Sequence, residues 1–434
     1  MAVGFLLVPD ARLNLGPYLA LFLAGSAVSL LAAKSLSASG PGFALVCGAL
    51  FRLTLLLRQP DLSDDVWRYL WDGQVARAGF SPYASAPDDA ALSRVSPSLR
   101  ARVAHRDVPG VYPPVAQAAF RVFGGDSGPL PLKAFFALAD LSVVALIAAS
   151  GHPGAAFGAA LYAFHPLPIT ETAGQGHLDS LGVALLLASL LFLARGRRGL
   201  AGAGLALSVL TKYVPAAAFL PLARRGRWRL AVSFAATAAV LWLAGSRDGV
   251  SPAGGIGQYA TRWDFNAPVY STAVRLMEIS RIPDTAKAAF IDLKERLDHP
   301  AWTQRVFPYF YAAFFARVLL ALLLAAALLV IAVRVREVES AVFASLAALL
   351  LLSPTLHPWY LLWLLPFAAK RREPAFLFLS FAAPLAYALL YPLPGVPPAL
   401  ILTGEFLPFA ALLAWTLFPS PRLRTSDVGL RTQD

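Results

Sequence analysis

The stretch FPYFYAAFFARVLLALLLAAALLVIAV, residues 307–333, decides the class of fold. A helix that crosses the hydrocarbon core of a bilayer needs about 20 largely apolar residues, and this run exceeds that length. Comparable runs recur on both sides of it. Helical spans are expected at 17–33, 42–57, 131–149, 154–169, 178–194, 230–244, 307–333, 340–352, 359–369, 374–391 and 399–418. With 58% hydrophobic and 14% charged residues among 434, the chain is too apolar for a soluble domain. The expected fold class is all-α: a polytopic integral membrane protein, one domain over 1–434, with about 11 spanning helices.

The formal charge of +12 does not point to nucleic acid, because the bases form short clusters between apolar runs instead of one face. They read as topology signals. Short-loop Lys and Arg prefer the cytoplasm, which places Arg195, Arg197 and Arg198, then Arg224, Arg225, Arg227 and Arg229, then Arg334 and Arg336, Lys370 to Arg372, and Arg422 and Arg424 on that side. Residues 199–221 carry basic clusters at both ends, so a re-entrant hairpin breaking around Thr211 to Pro215 is expected there. Lys212 then falls at the break, either as a functional buried charge or snorkelling to the surface. The opposite face receives two long loops, 58–130 and 246–306, and Thr285 to Leu297 in the second reads as an amphipathic helix. The first span reads as retained, because the apolar stretch Phe5 to Val8 is short and Pro9 and Asp10 follow it. Cys47, the only cysteine, leaves no disulfide framework or cysteine metal cluster.

The densest polar stretch is SDDVWRYLWDG, Ser63 to Gly73, beyond the second span. Adjacent carboxylates repel unless cations or donors stand nearby. Ser63 capping a helix, with Asp64 and Asp65 in its first turn, is one reading; a pair of chemically active carboxylates is the other. Gly79 to Tyr83 and Tyr112-Pro113-Pro114 form aromatic-proline turns in the same loop. Gln175, His177 and Asp179 lie at the outer end of a span, and His357-Pro358-Trp359-Tyr360 interrupts two further spans at the same level. Taken singly, each histidine reads as a cap or turn residue and each aromatic as part of an interfacial belt. Taken together, carboxylates, histidines and turn aromatics from three chain regions converge on one face, which a purely structural bundle does not require.

These residues carry a resemblance. Ser63 to Gly73, Gly79 to Tyr83, Tyr112 to Pro114 and His357 to Tyr360 resemble the bacterial GT-C membrane glycosyltransferases of family 87, over roughly residues 58–367. The resemblance implies a GT-C fold in the bacterial cytoplasmic membrane and an extracytoplasmic active site. The implied reaction is an inverting transfer of mannose from a polyprenyl-phosphate donor to a lipid-linked or glycan acceptor. It implies Asp65 as the catalytic base, with Tyr69 one turn later and Asp64 the alternative, and His357 at the donor phosphate.

Elementary chemistry agrees. An acceptor hydroxyl loses its proton as it attacks the anomeric carbon, and a carboxylate in hydrogen-bond reach takes it. A polyprenyl phosphate leaves as an anion and needs cationic or hydrogen-bonding partners, for which Arg68, His177 and His357 are the candidates. Tyr69, Trp71, Tyr83, Tyr112, Gln175, Asp179, Trp359 and Tyr360 are the candidate substrate contacts. No cofactor or metal is required by the scheme, and the expected partners are donor, acceptor and membrane lipid, with no nucleic acid. A lipid or sugar transporter is the competing class, but transporters gather polar groups near the midplane, which the charges here avoid apart from Lys212.

Overall fold

A computed structural model describes residues 2–125, 128–246 and 249–417. Arg422 and Arg424 of the last basic cluster lie outside the described residues. The described chain is helical, with a single isolated β-bridge between Phe265 and Thr355. Leu15–Leu56, Leu130–Ala148, Val214–Gly245, Ala312–Arg334 and Pro398–Leu417 are each long and apolar enough to cross a membrane. Shorter apolar helices run over Ala155–Phe164, Asp179–Ala194, Arg198–Val209, Val338–Leu352 and Pro374–Leu390. The protein is a polytopic membrane protein.

Helices reappear at the expected spans, some of them built differently. The two spans expected at 17–33 and 42–57 are Leu15–Leu36 and Gly40–Leu56, joined by a 3-10 turn at Ser37–Ser39. The span expected at 154–169 stops at Phe164, because His165 precedes Pro166 and is held extended. A wider π-helical turn follows at Ile169–Gly174. The span expected at 359–369 divides into a 3-10 turn, Pro358–Trp363, and a helix, Leu365–Arg371. A ten-residue helix is only about 15 Å long, half the hydrocarbon thickness, so Ala155–Phe164 cannot span by itself.

The chain divides into two compact units, one from residues 1–70, 122–187 and 358–434 and the other from 71–121 and 188–357. In the first unit Ala155–Phe164 is the centre, packed by Leu15–Leu36, Gly40–Leu56, Leu130–Ala148 and Leu365–Arg371. Every residue from Phe157 to Ser180 is buried, and over Phe157 to Phe164 this is the burial expected of a helix with no polar face. Small residues four apart permit the closest contact. A Cβ on Gly154 would stand 2.0 Å from the Lys370 carbonyl oxygen, and one on Gly158 would stand 2.9 Å from the Lys370 amide nitrogen.

Two opposite charges from separate apolar helices meet inside this unit. Arg52 of Gly40–Leu56 and Asp140 of Leu130–Ala148 form an ion pair at 2.5 Å with side chains 1% and 0% exposed. Arg52 also donates to the carbonyls of Gly48 at 3.0 Å and Ala163 at 3.1 Å. Asp140 accepts from Tyr162 at 2.6 Å and Ser180 at 2.9 Å. Since the Ser180 hydroxyl is spent on Asp140, Thr172 is the donor in its 2.7 Å bond to Ser180. Lys133 donates to the carbonyls of Leu55, Leu56 and Arg58 at 3.3, 2.9 and 2.5 Å, closing the C-terminal end of Gly40–Leu56.

In the second unit, residues 199–221 do not form one straight helix. Arg198–Val209 ends, the chain turns through 210–213, and a 3-10 turn at Val214–Ala218 leads into Phe219–Gly245. That long helix is itself broken within the basic cluster, at Arg227 with φ 55 and ψ −160. Lys212 stands at the first break, half-buried. Arg224 donates to the carbonyls of Ala332 and, at 2.9 Å, Val333, the last turn of Ala312–Arg334. The amphipathic helix expected at 285–297 is Ile282–Arg296, in which Pro283 is the only buried residue.

Two outcomes follow from this packing. Gly154→Ala forces backbone apart at Lys370 and costs about 1–3 kcal/mol or more, seen as a drop of several degrees in the melting temperature of the detergent-solubilised protein. Gly404→Ala, with nothing within 4 Å of its Cβ, leaves that temperature unchanged or raises it. Asp140→Ala strands the Arg52 guanidinium in the interior and costs about 3–5 kcal/mol, read as loss of folded, monodisperse protein on solubilisation.

Candidate active site

The helix Asp65–Arg77 begins at the carboxylate singled out from sequence. The Asp65 amide donates to the Ser63 hydroxyl oxygen at 3.3 Å, a local side-chain cap of the kind serine provides at a helix start. An acidic residue in this first turn is favoured by the helix dipole. One turn on, the Tyr69 hydroxyl donates to Asp65 Oδ2 at 3.4 Å. The Asp65 side chain is 36% exposed, whereas His177, 4.0 Å from the same oxygen, is 0% exposed.

His177 reaches this position through the π-helical turn. There the Gln175 amide bonds back to the Thr170 carbonyl, and Gly176 takes φ +83, a conformation a side chain resists. The turn brings Glu171 onto the imidazole: His177 Nδ1 is 3.1 Å from Glu171 Oε2 and 3.2 Å from the Glu171 carbonyl oxygen. Nε2 lies 3.1 Å from the Ser63 hydroxyl. The ring stacks on Trp359 with centroids 3.8 Å apart and planes at 16°. Glu171 is fully buried and accepts from the Tyr387 hydroxyl at 2.9 Å through Oε2. Its Oε1 has no hydrogen-bond partner among the described residues.

The neighbouring carboxylates are differently employed. Asp64 is ion-paired with Arg12 at 2.6 Å. Asp61 bonds Arg58, receives the Ala11 amide at 2.9 Å and receives the Gln175 side-chain amide at 2.9 Å. Gln175 in turn accepts the amides of Asp61 at 3.0 Å and Leu62 at 2.9 Å. The segment leading into the helix is therefore held from both sides, and Asp65 at its end keeps 36% of its side chain exposed.

The remaining candidates are distributed over both units. In the first, Asp179 accepts from the Trp363 indole at 2.7 Å, Trp359 and Tyr360 are buried in the Pro358–Trp363 turn, and Arg68 is half-buried one turn after Asp65. In the second, Trp71 is buried with Val75, Leu92 and Val103. Tyr83 donates to the Tyr112 carbonyl at 2.9 Å, and burial pushes its phenol up from the ordinary range. Tyr112 meets Phe120 edge-on at 5.5 Å. His357 also belongs to the second unit, stacked on Phe265 at 4.7 Å.

Sequence reasoning missed Glu171, Tyr387 and Arg12, and treated Ser63 only as a helix cap. A signal existed for Glu171: a lone carboxylate six residues before His177 in an otherwise uncharged stretch. Arg52 and Asp140 were likewise visible as charges inside two expected spans, where ionisable residues are rare and paired.

The family model for glycosyltransferase family 87 matches residues 111–354. The matched stretch includes Glu171, Gln175, His177 and Asp179, begins after Asp65 and ends before His357. No curated protein and no solved structure matches the chain. With more than half of its length matched, and with an all-helical membrane architecture, the chain belongs to glycosyltransferase family 87.

Proposed function

We propose that this glycosyltransferase moves a sugar, mannose by its resemblance to family 87, from a polyprenyl-phosphate donor to a hydroxyl of a lipid-linked or glycan acceptor on the extracytoplasmic side. Asp65 carries the assignment. It is a partly exposed carboxylate at a helix start, while Asp64 is paired with Arg12 and Asp61 with Arg58. In the reaction, an Asp65 oxygen takes the acceptor proton as the acceptor oxygen forms its bond to the anomeric carbon. The bond from that carbon to the phosphate oxygen breaks, and the phosphate leaves as an anion. A single displacement of this kind inverts the anomeric centre.

Arg68 on the base helix is a candidate donor to the leaving phosphate, whose charge needs such partners, and His357 is one by the resemblance to family 87. His177 differs from them in being fully buried with both ring nitrogens engaged, so it supports Asp65 instead of meeting phosphate. The donor's polyprenyl chain gains about 0.8 kcal/mol per methylene buried in lipid and so approaches from within the bilayer.

The direct test incubates purified protein with a panel of polyprenyl-phosphate sugars and a membrane lipid extract. Product is expected with the mannose donor. Asp65→Asn keeps the shape of the side chain but removes the proton acceptor, and lowers kcat by on the order of a hundred- to ten-thousand-fold while donor binding survives. Asp64→Asn costs less than about tenfold, since it loses only an exposed ion pair. His357→Ala raises the donor KM. Full turnover by Asp65→Asn removes Asp65 as the base.

Sidedness has its own measurement. In a Cys47→Ser background, an impermeant maleimide added from outside is expected to label Asp64→Cys, whereas Arg372→Cys reacts only after permeabilisation. The reverse pattern overturns the extracytoplasmic assignment.

A further inference from the structure

Resting on Asp65 as the base, we propose that the fully buried pair Glu171 and His177 is a positioning device for it, acting through the Ser63 hydroxyl. Both groups facing His177 Nδ1, the Glu171 carboxylate at 3.1 Å and its own carbonyl at 3.2 Å, only accept hydrogen bonds. Nδ1 therefore carries a proton. That leaves the Nε2 lone pair to accept the Ser63 hydroxyl at 3.1 Å. With its proton committed there, the Ser63 oxygen presents its remaining lone pair to the Asp65 amide at 3.3 Å.

All the donors then run in one direction, from the Asp65 amide to the Ser63 oxygen, and from the Ser63 hydroxyl to His177 Nε2. At the far end His177 Nδ1–H donates to Glu171, which Tyr387 steadies at 2.9 Å. Stacking on Trp359 at 3.8 Å prevents the ring from turning over. Neither Glu171 nor His177 has surface with which to touch a substrate, so the pair acts only through Asp65.

Glu171→Gln tests the direction of the chain. The glutamine amide can donate to Nδ1, which moves the imidazole proton to Nε2. An Nε2–H then competes with the Asp65 amide for the Ser63 oxygen and turns a donor toward Asp65 Oδ2, 4.0 Å away. The base carboxylate is misaligned while the donor's binding groups are untouched.

Transfer from polyprenyl-phosphate mannose to a membrane lipid extract is measured for the full-length protein, Glu171→Gln, Glu171→Asp, Asp65→Asn and Asp65→Asn with Glu171→Gln. Supporting groups of this kind are worth about ten- to a hundredfold. Glu171→Gln is expected to lower kcat by that factor at unchanged donor KM, and Glu171→Asp recovers part of the loss. In the Asp65→Asn background, Glu171→Gln causes no further loss, because a group acting through Asp65 has nothing left to act on. A kcat within twofold of the parent for Glu171→Gln, or an equal fold loss in both backgrounds, overturns the proposal.

Full turnover by Asp65→Asn sinks the base assignment instead, so the two failures are told apart. Nitrogen-15 spectra of histidine-labelled protein, with His177 identified among the six histidines by its disappearance in His177→Gln, give a readout independent of turnover. A protonated Nδ1 is expected, and a bare Nδ1 overturns the proposal whatever the activity.

Discussion

The ion pair between Arg52 and Asp140 is the constraint around which the first unit is arranged. Neither charge has water to turn to, and an uncompensated charge in such a place costs several kcal/mol. Four elements answer to it. Gly40–Leu56 and Leu130–Ala148 supply the charges, Ala155–Phe164 supplies the Tyr162 hydroxyl, and Asp179–Ala194 supplies Ser180 at its start. Through Ser180 the pair reaches Thr172, the residue after Glu171. The π-helical turn that presents Glu171 and His177 is thus tied at one end to a fixed electrostatic anchor, in addition to its own backbone hydrogen bonds.

That anchor separates two tasks within a few residues. As the proposed base, Asp65 keeps about a third of its side chain exposed, while Ser63, Tyr69 and His177 around it are buried. Ser63 and Tyr69 touch it directly, and the segment ahead of it is clamped by Gln175, Arg58 and Arg12. A carboxylate on a mobile loop would sample many orientations; this one inherits the rigidity of a packed interior through hydrogen bonds of fixed direction. Preorganisation of that sort is where an enzyme's advantage over water chiefly lies.

Periodicity and length made the membrane architecture legible, because about 20 apolar residues admit few alternatives. The start of the Asp65–Arg77 helix was legible as well, since Ser-Asp-Asp before an aromatic stretch is an ordinary helix start. Which of Asp64 and Asp65 would be ion-paired to an arginine was not, because Arg12 decides it from 52 residues away. Glu171 stayed hidden for a local reason: only a π-helical turn followed by a left-handed Gly176 swings a carboxylate six residues upstream onto the His177 ring, and propensity does not announce a π turn. Trp71 and Tyr83 show the opposite difficulty. Aromatic residues in a long loop suit a binding surface or a small core equally well by composition, and their burial is a matter of packing that sequence spacing does not carry.

The contact between Gly158 and Lys370 bears on how the protein is made. Residues that complete the first unit are separated by great lengths of chain: His165 waits for Ser380, 215 residues later, Glu171 waits for Tyr387, 216 residues later, and Leu62 for Tyr391 after 329. At a synthesis rate of about 5–20 residues per second, the short Ala155–Phe164 helix and the polar turn behind it spend on the order of ten seconds or more without their partners. During that interval a segment too short to cross the bilayer, bearing Glu171 and His177, has to be sheltered from lipid by something other than its final neighbours. The packing around this turn is therefore complete only once the last helices have been made.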